Sequence, residues 1–184
     1  MALEDQGPHV LDDIWTLYFH DPSDADWSLS SYKRMGDIGS IEEFWEAHRE
    51  LSGRPLTCGM FFLFRESVFP CWDDKHNIDG GTMSLKLLKS DVEKHWVPLT
   101  CRMLGESLPA DDKLHLSRTI NGISISPKKS FCIVKIWLAN DALGDRASIK
   151  IDEAYSGEFW YKQNREVITA NQSSNAAVPS VRQT

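Results

Sequence analysis

The sequence predicts an α+β domain in which a curved antiparallel sheet is backed by helices on one face. Short runs dense in β-branched and aromatic residues recur along the chain. Two segments carry apolar residues at three- to four-residue spacing, and these helical segments are inserted between the strands. With 184 residues, 41% of them apolar, the chain is long enough for one domain with a real core. The domain is expected over residues 9–167, with a disordered arm at 1–8 and a polar, disordered tail at 168–184.

The elements follow in order. Ile14–Phe19 (IWTLYF) reads as a strand, and His20 to Trp27 (HDPSDADW) as a loop rich in Asp, Ser and Pro. Ser40-Ile41-Glu42-Glu43 has the form of a capping box. Ile41, Phe44, Trp45 and Leu51 follow near helical spacing and Gly53 supplies a stop, so a helix is expected at about 41–52. Ile41 and Trp45 fall on one face of that helix, and Phe44 and Leu51 roughly on another.

Met60–Phe64 is a compact apolar strand, and Pro70 argues for a loop or strand edge leading into Cys71-Trp72-Asp73-Asp74. Met83–Leu88 is the next strand. Ser90-Asp91-Val92-Glu93 is a second capping box, and Val92, Trp96, Leu99 and Met103 continue it as a helix. Pro98 is expected to kink that helix or end its first part, and Gly105 to stop it. Ile120–Ser126 and Phe131–Leu138 are two strands joined by Pro127-Lys128-Lys129-Ser130.

Composition excludes several classes. There is no run of about 18 apolar residues to span a membrane, and the acidic start MALEDQGPHV is not a secretory signal. Cys58, Cys71, Cys101 and Cys132 include no C-x-x-C pair. Reduced thiols in the cytoplasm, or also the nucleus, are expected rather than zinc or disulfides. The six histidines (9, 20, 48, 76, 95, 115) show no metal spacing, and no nucleophile stands beside an oriented base. No metal, no cofactor, no catalytic residue and no enzyme activity are therefore expected. A formal charge of −7 does not suit a grip on a long phosphate backbone. A nucleic-acid ligand would be a short, chemically special piece, and seven tryptophans direct attention to aromatic recognition. Most of the seven belong in a core, Trp15 and Trp96 among them, while Trp160 is left undecided.

Some residues invite a functional reading. Trp72-Asp73 places an indole beside a carboxylate, and Trp27 sits in a polar loop. Lys128 and Lys129 occupy a turn, and Ile133, Lys135 and Trp137 share one face of a strand by period-two alternation. Taken alone, Trp72-Asp73 reads as a buried tryptophan beside a surface acid, and the lysine pair as a solvated turn. The surrounding motifs shift that balance. HVLDDIWTLYF, IEEFW, FPCWDD followed by Gly80-Gly81, HWVPLTCRMLGES and KIWL together resemble the eukaryotic translation initiation factor 4E family over about residues 9–140. Val10 stands where the family has proline.

The resemblance implies the family's cupped sheet with helices on the convex face and a slot for the 7-methylguanosine cap of messenger RNA on the concave face. It implies that Trp27 and Trp72 stack on the base, Asp73 reads its edge in place of the family's Glu, and Trp137 touches the N7-methyl. Lys128 falls on a phosphate-binding arginine, and Lys129 and Lys135 are further phosphate candidates. Ile133 replaces a phosphate lysine, and Thr82-Met83 replaces an Arg-Trp pair. The implied partners are capped mRNA and a scaffold factor of the 4G class or a 4E-binding protein. Such a partner would dock a Tyr-x-x-x-x-Leu-Φ helix on His9, Val10, Ile41, Trp45, Val97 and Leu104 of a chain that is otherwise a monomer. The replacements at 73, 82, 83 and 133 leave a rival open, a repressor-type relative that sequesters partners and binds caps weakly.

Overall fold

The structure is a computed structural model and describes residues 7–114 and 118–176. Its strands are β1 (Val10–His20), β2 (Lys33–Ser40), β3 (Met60–Arg65), β4 (Gly81–Leu88), β5 (Ile120–Pro127), β6 (Phe131–Leu138) and β7 (Phe159–Gln163). They form one sheet in the order β2-β1-β3-β5-β6-β4-β7, with every pairing antiparallel. The helices are α1 (Ile41–Leu51), α2 (Arg54–Cys58), α3 (Val92–Leu104) and α4 (Asn164–Ala176).

Side-chain alternation splits the sheet into two unlike faces. On the convex face, Leu17, Leu63, Leu85, Ile123 and Ile136 join Phe44 and Leu51 of α1, Leu56 of α2 and Trp96, Leu99 and Met103 of α3 in the main core. Trp15 lies in that core too, fully buried. On the concave face a smaller aromatic group gathers Phe62, Phe64, Val68 and Trp137, with Tyr18, Tyr32, Met60 and Trp72 packed on it. The helices thus bury one face of the sheet and leave the other uncovered by helix α1, α2 or α3.

Local sequence explains the helix ends. The Ser40 hydroxyl accepts from the Glu43 N–H at 3.2 Å, and the Glu43 carboxylate accepts from the Gly39 N–H at 2.7 Å. Gly53 turns the chain from α1 into α2 at φ 74°, in the left-handed region that favours glycine. The second expected capping box does not form. Lys89–Asp91 is a 3-10 turn, Asp91 caps α3 without its side chain, and the Glu93 carboxylate accepts instead from the Gly53 N–H. Pro98 does not end α3, which runs unbroken because buried Trp96, Leu99, Thr100 and Met103 hold both of its halves against the sheet. That packing offsets the roughly 3 kcal/mol that an internal proline costs a helix.

The tail expectation needs correction. Residues 164–176 form α4, so the chain stays ordered beyond 168, while 177–184 lie outside the described residues. Polarity misled here because α4 is anchored at its first turn: buried Asn164 donates to the Asn77 carbonyl at 2.7 Å, and Arg165 pairs with Asp79. Of the expected arm, residues 1–6 likewise lie outside the described residues and residues 7–8 are irregular; His115 also lies outside them.

Candidate functional site

A cleft of about 600 Å3 opens on the concave face, and residues from five segments line it. Its floor is Trp137 of β6, 2% exposed. The Trp137 indole N–H donates to the Ser124 hydroxyl at 3.0 Å, and the edge of Phe64 meets the ring at 5.3 Å between centroids. Gly122 makes room for Phe64, since a Cβ there would lie 2.5 Å from the Phe64 ring and 2.7 Å from the Leu63 carbonyl oxygen.

Two indoles from loops form the walls. Trp27 is 53% exposed and lies at the end of an acidic loop built from successive Asx turns. The N–H groups of Ser23, Asp26 and Ser28 donate to Asp21, Asp24 and Asp26 at 2.8–2.9 Å. The Ser23 and Ser28 bonds hold Asp21 and Asp26 below the usual carboxylate range. One face of Trp27 is backed by buried His20, stacked at 4.2 Å and 8°. His20 is fixed in turn by Nε2–H donation to the Asp26 carbonyl at 2.8 Å, and Tyr32 meets both rings edge-on.

Trp72 is half-buried and lies over Trp137 at 6.0 Å and 28°. The Lys135 ammonium stands 5.1 Å from the centre of the Trp72 ring, and the Trp72 indole N–H is buried without an acceptor among the described residues.

Asn77 holds the Trp72 loop. Fully buried, it donates to the carbonyls of Phe69 at 2.9 Å and Cys71 at 2.8 Å. Its own side-chain oxygen accepts from Asn121 of β5, which also donates to the His76 carbonyl at 2.7 Å. Asp74 caps the turn, accepting from the His76 N–H at 2.8 Å. Asp73 is thereby presented, exposed, at the cleft wall beside Trp72. Burial, then Asp73, pushes the Cys71 thiol up to about 12, so it stays protonated. Burial raises Tyr32 to about 12 as well, with Cys71 and Asp73 adding to the effect. Burial holds Lys135 below the usual lysine range, and Lys128 and Lys162 lower it further.

The structure therefore brings Trp27, Trp72, Asp73, Lys135 and Trp137 into one cleft. Lys128 is exposed in the β5–β6 turn and does not line the cleft, though it is near enough to lower Lys135. Lys129 is exposed beside it and likewise does not line the cleft. The sequence reading missed His20, Tyr32, Asn77, Asn121 and Lys162. Only Lys162 had a usable signal, because period-two alternation in FWYKQ puts it on the same face as Trp160.

A second, apolar groove of about 400 Å3 lies on the helix side, lined by Leu11, Ile41, Phe44, Trp45, Cys101, Leu104 and Gly105. Ile41 and Trp45 are 45% and 46% exposed, whereas Leu104 is buried. Of the expected docking residues, Val97 is not in the groove and packs on the main core. His9 and Val10 lie outside it too. His9 is clipped to the start of α1 by its ring and N–H on Glu42, and Val10 is exposed.

Fold and cleft together define an α+β domain whose concave face carries aromatic walls, one carboxylate and one lysine around an open cleft. The family described as Eukaryotic initiation factor 4E matches residues 10–178, and the chain belongs to it. It is 24% identical over 169 residues to a protein named eukaryotic translation initiation factor 4E-3 of Arabidopsis thaliana, covering 86% of this chain and 65% of that protein. To initiation factor 4E-1 of Phaseolus vulgaris it is 24% identical over 165 residues, covering 86% and 68%. The chain thus spans about two thirds of the length of these relatives. In fold it is similar to a schistosome initiation factor 4E complexed with m7GpppA and 4E-BP, with TM-score 0.63 and 23% identity over 74% of this chain and 75% of that one. An Ascaris suum initiation factor 4E-3 with an m2,2,7G cap gives TM-score 0.61 and 19% identity over 73% and 75%.

Proposed function

We propose that this chain is a binding protein, not an enzyme, that holds the 7-methylguanosine cap at the 5′ end of mRNA and carries it to the initiation machinery through a partner helix. The observation that carries this reading is the single cleft that gathers two loop indoles, a carboxylate, a lysine and a buried tryptophan floor. N7-methylation makes guanine a flat, delocalised cation. Trp27, backed by His20, and Trp72, backed by Trp137, offer ring faces to it. Asp73 accepts the N1 and N2 donors of the base edge, a charge-assisted pair. Trp137 meets the methyl group, and Lys128 and Lys135, with Lys129 nearby, meet phosphates. The reading places the chain in the cytoplasm, and also the nucleus, as a monomer until a partner docks.

A calorimetric titration with 7-methyl-GTP and GTP tests it. The methylated nucleotide is expected to bind tighter by about 2 kcal/mol, the worth of a desolvated cation–π contact. Equal affinities would sink the proposal. Asp73→Asn is expected to cost about 1.5–3 kcal/mol and to erase the preference for 7-methylguanosine over 7-methyladenosine.

The apolar groove is the partner's site. A Tyr-x-x-x-x-Leu-Φ helix from a 4G-class scaffold or a 4E-binding protein would seat its apolar side on Ile41 and Trp45. Tryptophan is enriched at interface hot spots. Trp45→Ala is expected to abolish capture of such a peptide while 7-methyl-GTP binding and the melting temperature stay near wild type. A loss of about 3–5 kcal/mol of stability would instead mark Trp45 as a core residue.

One observation favours the second reading, a partner-sequestering or repressor-type protein with weak cap binding. The Lys135 ammonium already stands over Trp72, a like charge for a cationic base, while Ile133 and Thr82 supply no cation. A wild type that captures the partner peptide but binds 7-methyl-GTP no better than GTP would establish it.

A further inference from the structure

The Trp27 wall rests on a histidine. His20 closes β1, where it pairs with Met60 of β3, and by strand alternation its side chain shares the concave face with Tyr18. The imidazole is fully buried and makes two contacts with the loop that follows. Nε2–H donates to the Asp26 carbonyl at 2.8 Å, and the ring stacks on the next residue, Trp27, at 4.2 Å and 8°. The bond spans six residues, so it fastens the far end of the loop to the strand where the loop begins. A carbonyl oxygen only accepts, so Nε2 carries the proton and Nδ1 keeps its lone pair. Nδ1 is buried without a hydrogen-bond partner among the described residues.

Both faces of an indole are electron-rich, and His20 covers one of them. A neutral imidazole leaves the open face attractive to a flat cation. An imidazolium would set a full positive charge against the covered face. It would also place a second N–H, at Nδ1, in a buried position without an acceptor among the described residues. A base stacked on the open face would lie about 8 Å from the imidazole, and two unit charges at that separation cost roughly two- to thirtyfold in affinity between the dielectric of water and that of a protein surface. The titratable groups that face His20 are the Asp21 and Asp26 carboxylates of the loop and the Tyr32 ring. The two carboxylates are engaged by Ser23 and Ser28, and Met60, the partner on β3, carries no charge. Lys33 of β2 acts on Asp21, and Cys71 and Asp73 of the Trp72 loop act on Tyr32.

We propose that His20 is a positioning residue for the Trp27 wall, and that a proton on this imidazole weakens the hold of the cleft on a cationic base. This rests on the base-slot reading. The bond to Asp26 and the stack on Trp27 steady the indole plane on a loop otherwise built of Asx turns. The same contact couples cap affinity to pH, because acid that protonates Nδ1 puts like charges on the two faces of one indole. By reciprocity a bound cationic base opposes that proton. Affinity is therefore full where His20 is neutral and declines as the pH falls.

The test is calorimetry on the full chain with 7-methyl-GTP from about pH 8 to about pH 5.5, the range in which an imidazole takes up its proton. It compares wild type, His20→Phe and His20→Ala. Phenylalanine keeps a ring behind Trp27 but has no proton to gain. The ligand, its phosphates and Asp73 titrate in all three proteins, so the quantity read is the affinity of wild type divided by that of His20→Phe. That ratio is expected to fall by roughly two- to thirtyfold on acidification. At the alkaline end His20→Ala should bind roughly two- to twelvefold more weakly than wild type, the worth of a stacked pair, and His20→Phe should restore most of that loss. In wild type alone, saturation with 7-methyl-GTP should move the titration of the His20 imidazole carbon signals in NMR to lower pH, a reading that needs no variant. A constant affinity ratio, or a His20 titration that the ligand does not move, refutes the charge coupling and leaves the base slot standing. His20→Ala binding like wild type at the alkaline end refutes the positioning role. If wild type does not bind 7-methyl-GTP at all, the base slot falls and the role of His20 falls with it.

Discussion

Trp72→Ala is expected to weaken 7-methyl-GTP binding by about 3 kcal/mol, more than a hundredfold. The indole supplies one wall of the cleft, and its removal takes stacking and cation–π attraction together. It also strips cover from Trp137 and leaves Lys135 without the ring it stands over. Stability should change much less than affinity. Trp72 belongs to the small concave cluster and not to the main core, and its ring contact with Trp137 is worth about 0.5–1.5 kcal/mol. Trp72→Phe keeps a ring face and should recover part of the loss. Calorimetry beside a thermal melt separates the two effects, and an affinity within about threefold of wild type would remove Trp72 from the base slot.

Arg65→Met is expected to cost about 3–5 kcal/mol of folding stability, the range for breaking a buried ion pair from one side. Arg65 is 3% exposed at the end of β3. Its guanidinium donates to the Ile120 carbonyl, to Asp13 of β1 and to Glu106 after α3, each at 2.8 Å, and lies 4.5 Å from the Trp15 ring. Methionine fills the volume but abandons two carboxylates, one of them 7% exposed, with the single weakly placed contact of Arg118 to Asp13 at 3.4 Å. At two to four degrees per kcal/mol for a chain of this size, the melting temperature should fall by roughly 6–20 °C. Arg65→Lys keeps the charge but cannot reach three acceptors in fork geometry, and should fall between. A melting temperature within about two degrees of wild type would show that the triad contributes little.

What the sequence made legible follows its energetics. Helix α1 was readable because Ser40 caps it and its apolar residues recur on the face that meets the sheet. β2 was not, since KRMGDIGS buries only Ile38 and Ser40 at the sheet edge and so carries almost no hydrophobic period. α2 is five residues long with a proline at its start, too short for periodicity to register. In the site, Trp27 stood out as an indole in a polar loop, whereas Trp72 alone read as buried beside a surface acid and drew attention only through the motifs around it. Asn77 did not, because a loop asparagine ordinarily signals a turn, and its burial depends on Asn121 and Asn164, 44 and 87 residues away. Contacts made across such separations leave no trace in local composition.

The Asn77 hub has a mechanical consequence. Through one side chain and one carbonyl it clamps the Trp72 loop to β5 and to the entry of α4. A chain cut after Gln163 would therefore retain every side chain that lines the cleft and still lose one of the fastenings beneath it. The rigidity of the indole wall is in this sense held remotely, in the way a keystone holds a span it does not touch. Hydrogen exchange of the loop amides would then report on the attachment of the last helix as faithfully as on the ligand.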